Sequence, residues 1–265
     1  MVATSLPNTE LNKPLVQIDS LDVDFDRHRV LRGINMSISR GQTVAIIGES
    51  GCGKTVLLKT MIGLLSPSRG EVYFDGKNLA AMPEKELTQQ RIRFGFLFQQ
   101  AALFDSMTIA QNIAFPMRQH TQKTGEEIQR IIAARLAEVG LPENVLGKKP
   151  AELSGGMRKR VGLARALALE PEIILYDEPT TGLDPIRADV INALILKLHR
   201  QLHGTSIAVT HDMSSAFKIA DRIVMLHEGT LIADGSPDDI RNSTNPIVRR
   251  FVLGEADERE LAALE

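Results

Sequence analysis

Three short stretches combine residue types and spacings suited to phosphate chemistry. In GESGCGKT, residues 48–55, Gly48 and Gly53 bracket Glu49, Ser50, Gly51 and Cys52, and Lys54 and Thr55 follow. This is the Walker A pattern. Its glycines let backbone N–H groups wrap phosphate oxygens, Lys54 can reach the β and γ oxygens, and the Thr55 hydroxyl can serve Mg²⁺. Asp177 closes the apolar run IILYD and Glu178 comes next. A carboxylate at the end of a buried strand can hold Mg²⁺ beside a phosphate loop, and its neighbour can orient and polarise the attacking water. His211 directly follows TSIAVT and Gln99 directly follows RFGFLF. Both are polar groups set by strand ends: His211 can donate a hydrogen bond to a γ-phosphate, and Gln99 can reach Mg²⁺ or the water. The ligands this set calls for are ATP and Mg²⁺.

A second phosphate cradle lies about a hundred residues downstream, in ELSGGMRKRVGLARAL, residues 152–167. Ser154, Gly155 and Gly156 open a helix that carries Arg158, Lys159 and Arg160. A helix start offers free N–H groups and the positive end of its dipole, which suit an anion. Why one chain carries two such cradles is the question its motifs pose. Other fragments are weaker. His199 and His203 stand four apart but lack a third ligand nearby, and Cys52 reads as a small filler in the loop.

Elements must bring these groups together. The alternation of VQIDSLDVDF, residues 16–25, predicts a strand. QTVAIIG predicts a strand running into the glycine loop and then a helix through KTVLLKTMIGLL, ended by Ser66-Pro67. EVYFDG and RFGFLF predict further strands, and IAQNIAFPMR and EEIQRIIAARLAEVG have helical periodicity. Beyond the second cradle the order is strand EIILYDEP, a helix over about 186–202, strand TSIAVT, a helix over about 213–220, and strands RIVMLH and GTLIAD. Strands alternating with helices predict an α/β fold, a parallel sheet covered on both faces. Residues 1–13 read as a loose tail and 14–242 as the main domain, with an inserted helical subdomain over about 100–160. Residues 243–265 read as a helical extension with two amphipathic patterns, Ile247/Val248/Phe251/Val252 and Leu261/Leu264, expected to dock on a second copy of the chain or on a partner protein.

Composition narrows the function classes. The 265 residues include 31 basic and 33 acidic ones, a net charge of -2, with no overall electrostatic footprint for nucleic acid. The single cysteine excludes an intrachain disulfide, and MVATSLPNTE lacks the regions of a secretory signal. No run approaches the roughly 18 to 20 apolar residues that cross a bilayer, so a membrane role is expected to be peripheral and cytoplasmic, through a partner. The apolar segment after Gln99, AALF into TIAQNIAF, serves either such a contact or the helical subdomain's own core.

In this order, the Walker A loop, Gln99, LSGGM at 153–157, Asp177-Glu178, TGLDP at 181–185 and His211 resemble the motifs of ABC-type ATPases. The resemblance covers residues 15 to about 240. It implies a RecA-like parallel-sheet core, a small antiparallel β subdomain and the helical insertion. It also assigns Gln99 to the Q-loop, Ser154, Gly155 and Gly156 to the signature, Asp184 to the D-loop, His211 to the switch histidine and Phe25 to the aromatic that stacks on adenine. The family works as head-to-tail homodimers in which Walker A of one copy and the signature of the other hold one ATP, which would explain two cradles. Met157 after LSGG, with LFQQAALF and PMRQHTQ, is similar to the ATPases of the maintenance of lipid asymmetry (Mla) and related MCE-type transporters. That implies phospholipid cargo between inner and outer membranes, an integral permease, a periplasmic MCE-domain protein and a cytoplasmic STAS-domain protein. Amino-acid or lipoprotein cargo is the competing expectation; the long coiled-coil insertions of ABC ATPases that act on DNA have no counterpart here.

Overall fold

The computed structural model describes residues 13–256 apart from positions 27 and 203. β1 (Val16–Phe25) pairs antiparallel with β2 (His28–Ile38). The strand changes phase halfway: Val16 and Ile18 face the core, then Leu21 and Val23 do. A register shift between Ile18 and Leu21, with Ser20 at φ 47°, reverses the alternation so that both halves bury their apolar residues. β3 (Thr43–Ile47) is buried throughout and runs through the glycine loop into α1 (Lys54–Met61). β4 (Arg69–Phe74) and β5 (Lys77–Asn78) complete a sheet of order β2-β1-β4-β5, followed by α2 (Glu84–Arg91).

β6 (Phe94–Leu97) leads to α3 (Ile109–His120), α4 (Gly125–Glu138) and α5 (Gly155–Ala166). Thr108 and Thr124 start α3 and α4 with reciprocal capping boxes to Gln111 and Glu127, each satisfying orphan N–H groups of a first turn. The chain then alternates through β7 (Ile173–Asp177), α6 (Pro185–Leu202), β8 (Thr205–Thr210), α7 (Met213–Ile219), β9 (Arg222–His227) and β10 (Thr230–Gly235). It ends in α8 (Pro237–Arg241) and α9 (Pro246–Leu253). The second sheet has the order β10-β9-β3-β8-β7-β6, parallel except for the edge strand β10.

β7 shows why the central strands are apolar along their whole length. Ile173 and Leu175 enter the core shared with the antiparallel sheet, while Ile174 and Tyr176 enter the core beneath α3, α5 and α6. At the opposite end of the strands from the site, Arg40, Asp75, Arg93 and Glu172 close a ring of ion pairs that ties the two sheets together.

Three sequence expectations change. α1 stops at Met61, ahead of Ser66-Pro67, because Gly63 turns left-handed at φ 67° and the Leu64 N–H bonds back to Lys59 O at 2.9 Å. β2 and α2 were not foreseen: β2 is punctuated by exposed polar residues, and α2 buries only Leu87. The first amphipathic pattern of the C-terminal extension packs on its own chain, with Val248 fully buried among Ala45, Ile47, Ile223 and Met225. The second, Leu261/Leu264, lies outside the described residues.

Candidate nucleotide site

Parallel strands put all their C-terminal ends on one edge, the edge where open α/β sheets carry ligands. β3, β8, β7 and β6 are consecutive there, so the loop at 48–53, His211, Asp177 and Gln99 follow four neighbouring strands. The glycine loop is sterically determined. Gly48 sits at φ 149°, and a Cβ on it would lie 2.1 Å from Leu226 O of the adjacent strand. Glu49, Ser50 and Gly51 are exposed, whereas Gly53 and Lys54 are buried. Lys54 Nζ donates to Gly48 O and Glu49 O, both at 2.8 Å, pinning the loop around the ammonium. An ammonium has three protons, so one donor remains for an anion in the loop. Cys52 packs against the core and burial raises its thiol pKa, as expected of a filler.

Thr55 Oγ1 donates to Asp177 Oδ1 at 3.1 Å, bringing the start of α1 and the end of β7 together. A hydroxyl and a carboxylate side by side are hard oxygen donors, a set that fits Mg²⁺ completed by water and phosphate oxygens. Burial raises the Asp177 pKa, opposed by the Thr55 hydrogen bond. A cation at this place would recover the solvation the carboxylate loses.

Glu178 is held from every side. Its backbone is left-handed at φ 51°, its N–H donates to Val209 O at 2.9 Å, and its carbonyl accepts from Lys159 Nζ at 2.9 Å. Its Oε2 accepts from Thr181 Oγ1 at 2.9 Å and lies 2.9 Å from His211 Nδ1. With Nδ1 engaged, His211 has Nε2 left to face a ligand, and its side chain is half-exposed. Asp212, next in sequence, caps α7 and accepts from Ser215 Oγ, which in turn receives a hydrogen bond from the buried Asn192.

The second cradle is built at the start of α5. Ser154 caps α5 by accepting from the Met157 N–H at 3.3 Å, and Gly155 and Gly156 form its first turn. Gln99 is exposed and lines a cleft together with Gly155, Lys159 and Leu183; among the described residues it makes no hydrogen bond to Thr55 or Asp177. Asp184 accepts from the Arg187 N–H at 3.0 Å, capping α6 ahead of Pro185. Phe25 is 46% exposed at the end of β1.

Sequence reasoning missed Lys159, Thr181 and the Asn192–Ser215–Asp212 chain. Lys159 had one readable signal: it stands three and four residues before Gly162 and Leu163, on the stripe that α5 buries. A further feature lies on the helical side. Phe96, Phe98, Phe104, Phe115 and Leu169 line a groove of about 290 Å³. Arg165 reaches it by bonding Ala101 O and Ala102 O at 2.8 and 2.7 Å. The segment after Gln99 therefore divides, with Ala101 and Ile113 buried in the core and Phe104 40% exposed.

A glycine loop at a strand-to-helix junction, a strand-end Asp-Glu pair and a second, helix-start cradle define an ATP-binding cassette. The chain belongs to the ABC transporter family, whose profile it matches over residues 31–181. It is 42% identical over 239 residues to the probable ribonucleotide transport ATP-binding protein mkl of Mycobacterium tuberculosis, covering 90% of this chain and 66% of that protein. It therefore spans slightly less than two thirds of that relative's length. It is 39% identical over 247 residues to the intermembrane phospholipid transport system ATP-binding protein MlaF of Haemophilus influenzae, covering 93% of each. Among solved structures, a dimeric ATP-binding cassette in a post-hydrolysis state with ADP and Pi superposes with a TM-score of 0.78 at 33% identity, over 84% of this chain and 98% of that one.

Proposed function

We propose that this chain is the ATP-hydrolysing subunit of a membrane transporter that moves phospholipid between the inner and outer membranes. The observation that carries the catalytic part is the clamped Glu178, whose carboxylate is fixed by Thr181 and His211 beside the Thr55–Asp177 pair. In this reading the 48–55 loop and the start of α1 hold the α- and β-phosphates, Lys54 the β- and γ-phosphates, and Phe25 the adenine face. Thr55, Asp177 and Gln99 would hold Mg²⁺, which would supply neutralisation of the charge that develops during phosphoryl transfer. Glu178 orients the water and takes its proton, while His211 uses its one N–H on the Glu178 carboxylate in the nucleotide-free arrangement and donates it to the γ-phosphate when nucleotide is bound.

The second cradle completes a partner's site. A Cβ on Gly155 or Gly156 would lie 3.6 and 3.9 Å from the nearest side chains of this chain, so internal packing does not require glycine there. Glycine inside a helix is unfavourable by about 0.5–1 kcal/mol relative to alanine, a cost that a close backbone approach from outside accounts for. Two copies placed head to tail bring Ser154, Gly155, Gly156 and Asp184 of each to the nucleotide of the other, giving two equivalent sites in a homodimer.

Phospholipid cargo rests on the similarity to MlaF and on Met157 in LSGGM; the ribonucleotide-transport name of the mycobacterial relative marks the competing cargo. The groove lined by Phe96, Phe98 and Phe104 supports docking of an integral permease. As further partners we propose a periplasmic MCE-domain protein and a cytoplasmic STAS-domain protein, with the chain peripheral on the cytoplasmic face of the inner membrane, as the resemblance carried by LSGGM implies. No helix among the described residues is long and apolar enough to cross a membrane. Glu178→Gln is expected to lower turnover more than about 100-fold while accumulating ATP-bound dimers; near-normal turnover would remove Glu178 from the role. Affinity purification from the native membrane, with bound lipids and proteins read by mass spectrometry, tests the cargo. A permease with phospholipid supports it, and a nucleotide- or amino-acid-binding component would overturn it.

A further inference from the structure

Lys159 is a buried cation inside α5, and among the described residues no carboxylate lies within ion-pair distance of it. Its ammonium instead donates to the main-chain carbonyl of Glu178 at 2.9 Å. Burying an ammonium against one carbonyl is unfavourable compared with an apolar side chain of similar length, and burial brings its pKa down to about 8. A contact that costs stability and ends on the backbone of the water-orienting residue calls for a functional explanation.

The position of Lys159 supplies one. It lies five residues beyond Ser154 on the same continuous helix, about 7.5 Å along the axis. One end of α5 is the cradle that meets the partner's nucleotide. Its second turn holds the left-handed backbone of Glu178, which serves the chain's own nucleotide. The N–H of Glu178 is fixed from the other side by Val209 O at 2.9 Å, so α5 and β8 clamp this one peptide pair between them. A helix is stiff over so short a span, and any shift of its first turn is carried to Lys159.

We propose that Lys159 is a positioning residue that couples the two nucleotide sites of the dimer, making the alignment of Glu178 in one site depend on whether α5 of the same chain is held by nucleotide in the other. This rests on the composite-site reading above. The contact differs from a packing contact in what its loss does: occupancy of one site stops reporting to the other, while each site still binds ATP.

The test uses the full chain in the complex purified from its membrane, with Lys159→Met to remove the donor and Lys159→Gln to restore a shorter neutral one. The unaltered complex is expected to hydrolyse ATP with a Hill coefficient of about 1.5 to 2. Lys159→Met is expected to lower kcat at least tenfold, change KM less than about threefold and bring the Hill coefficient to about 1, with Lys159→Gln intermediate and Tm not lowered in either. A non-cooperative unaltered complex would overturn the proposal. So would a Lys159→Met variant that keeps its Hill coefficient, whether or not kcat falls, because Lys159 would then act within one site alone. The composite-site reading is checked separately in the Glu178→Gln chain: if ATP fails to dimerise it, that reading falls and Lys159 is not the cause.

Discussion

Gly156→Ala separates the stability of the fold from the use of its second cradle. Gly156 is in the first turn of α5, and an added Cβ would find Arg187 Cδ at 3.9 Å as its nearest neighbour, an ordinary van der Waals contact. Alanine should therefore stabilise the isolated chain by up to about 1 kcal/mol through helix propensity and a less flexible unfolded state. For a chain of this size that corresponds to a Tm rise of about 1–4 °C, read by calorimetry without nucleotide. In the composite-site reading proposed above, the same methyl would stand where a partner's γ-phosphate approaches the α5 N–H groups. Turnover should then fall at least tenfold, about 1.4 kcal/mol of lost transition-state stabilisation. Gly48→Ala is the contrasting control, since its Cβ would meet Leu226 O at 2.1 Å and should destabilise the fold by about 1–3 kcal/mol, read as a lowered Tm. A lowered Tm in Gly156→Ala would mean that packing within the chain demands this glycine. A raised Tm with full turnover would mean that α5 does not meet nucleotide.

Two further outcomes follow from the same geometry. Burial raises the Asp177 pKa, so ionising it weakens the fold: the carboxyl's stability is full below its unfolded pKa and declines as pH rises through the folded one. Asp177→Asn without Mg²⁺ should thus match the parent Tm in acid and exceed it at neutral pH, while Mg²⁺-dependent hydrolysis is lost; a lower neutral Tm would contradict the desolvation argument. Phe104→Asp places a charge in the groove beside Phe115 without touching the nucleotide site. It should abolish copurification of a permease while nucleotide affinity changes less than about twofold, and retained copurification would move the docking surface elsewhere.

The legible parts of this sequence were those governed by the backbone. GESGCGKT, IILYDE and TSIAVTH specify phosphate loop and strand ends through glycine positions and unbroken apolar runs, and the chain folds them onto one edge. What a sequence pattern cannot state is which surface covers an amphipathic face. Ile247, Val248, Phe251 and Val252 looked like a docking helix for another subunit, yet the chain turns back through α8 and lays them on its own sheet. Lys159 was hidden for a related reason. In RKR the three cations read alike, and only the rotation of α5 buries the middle one while leaving Arg158 and Arg160 partly exposed. Gln99 shows the converse: its motif is plain, but its side chain lies in the cleft toward the second cradle rather than against Thr55 and Asp177.

The central claim, that each nucleotide is held by two copies of this chain, is tested most directly with defined mixed dimers. Lys54→Ala and Ser154→Arg are placed either on one chain or on opposite chains, in a Glu178→Gln background that traps ATP, and trapped nucleotide per dimer is counted. If the sites are composite, opposite placement concentrates both defects in one site and leaves the other intact, so one ATP is trapped; placement on one chain damages both sites and traps none. If each chain held its own nucleotide, the two arrangements would give the reverse, and the account would be wrong.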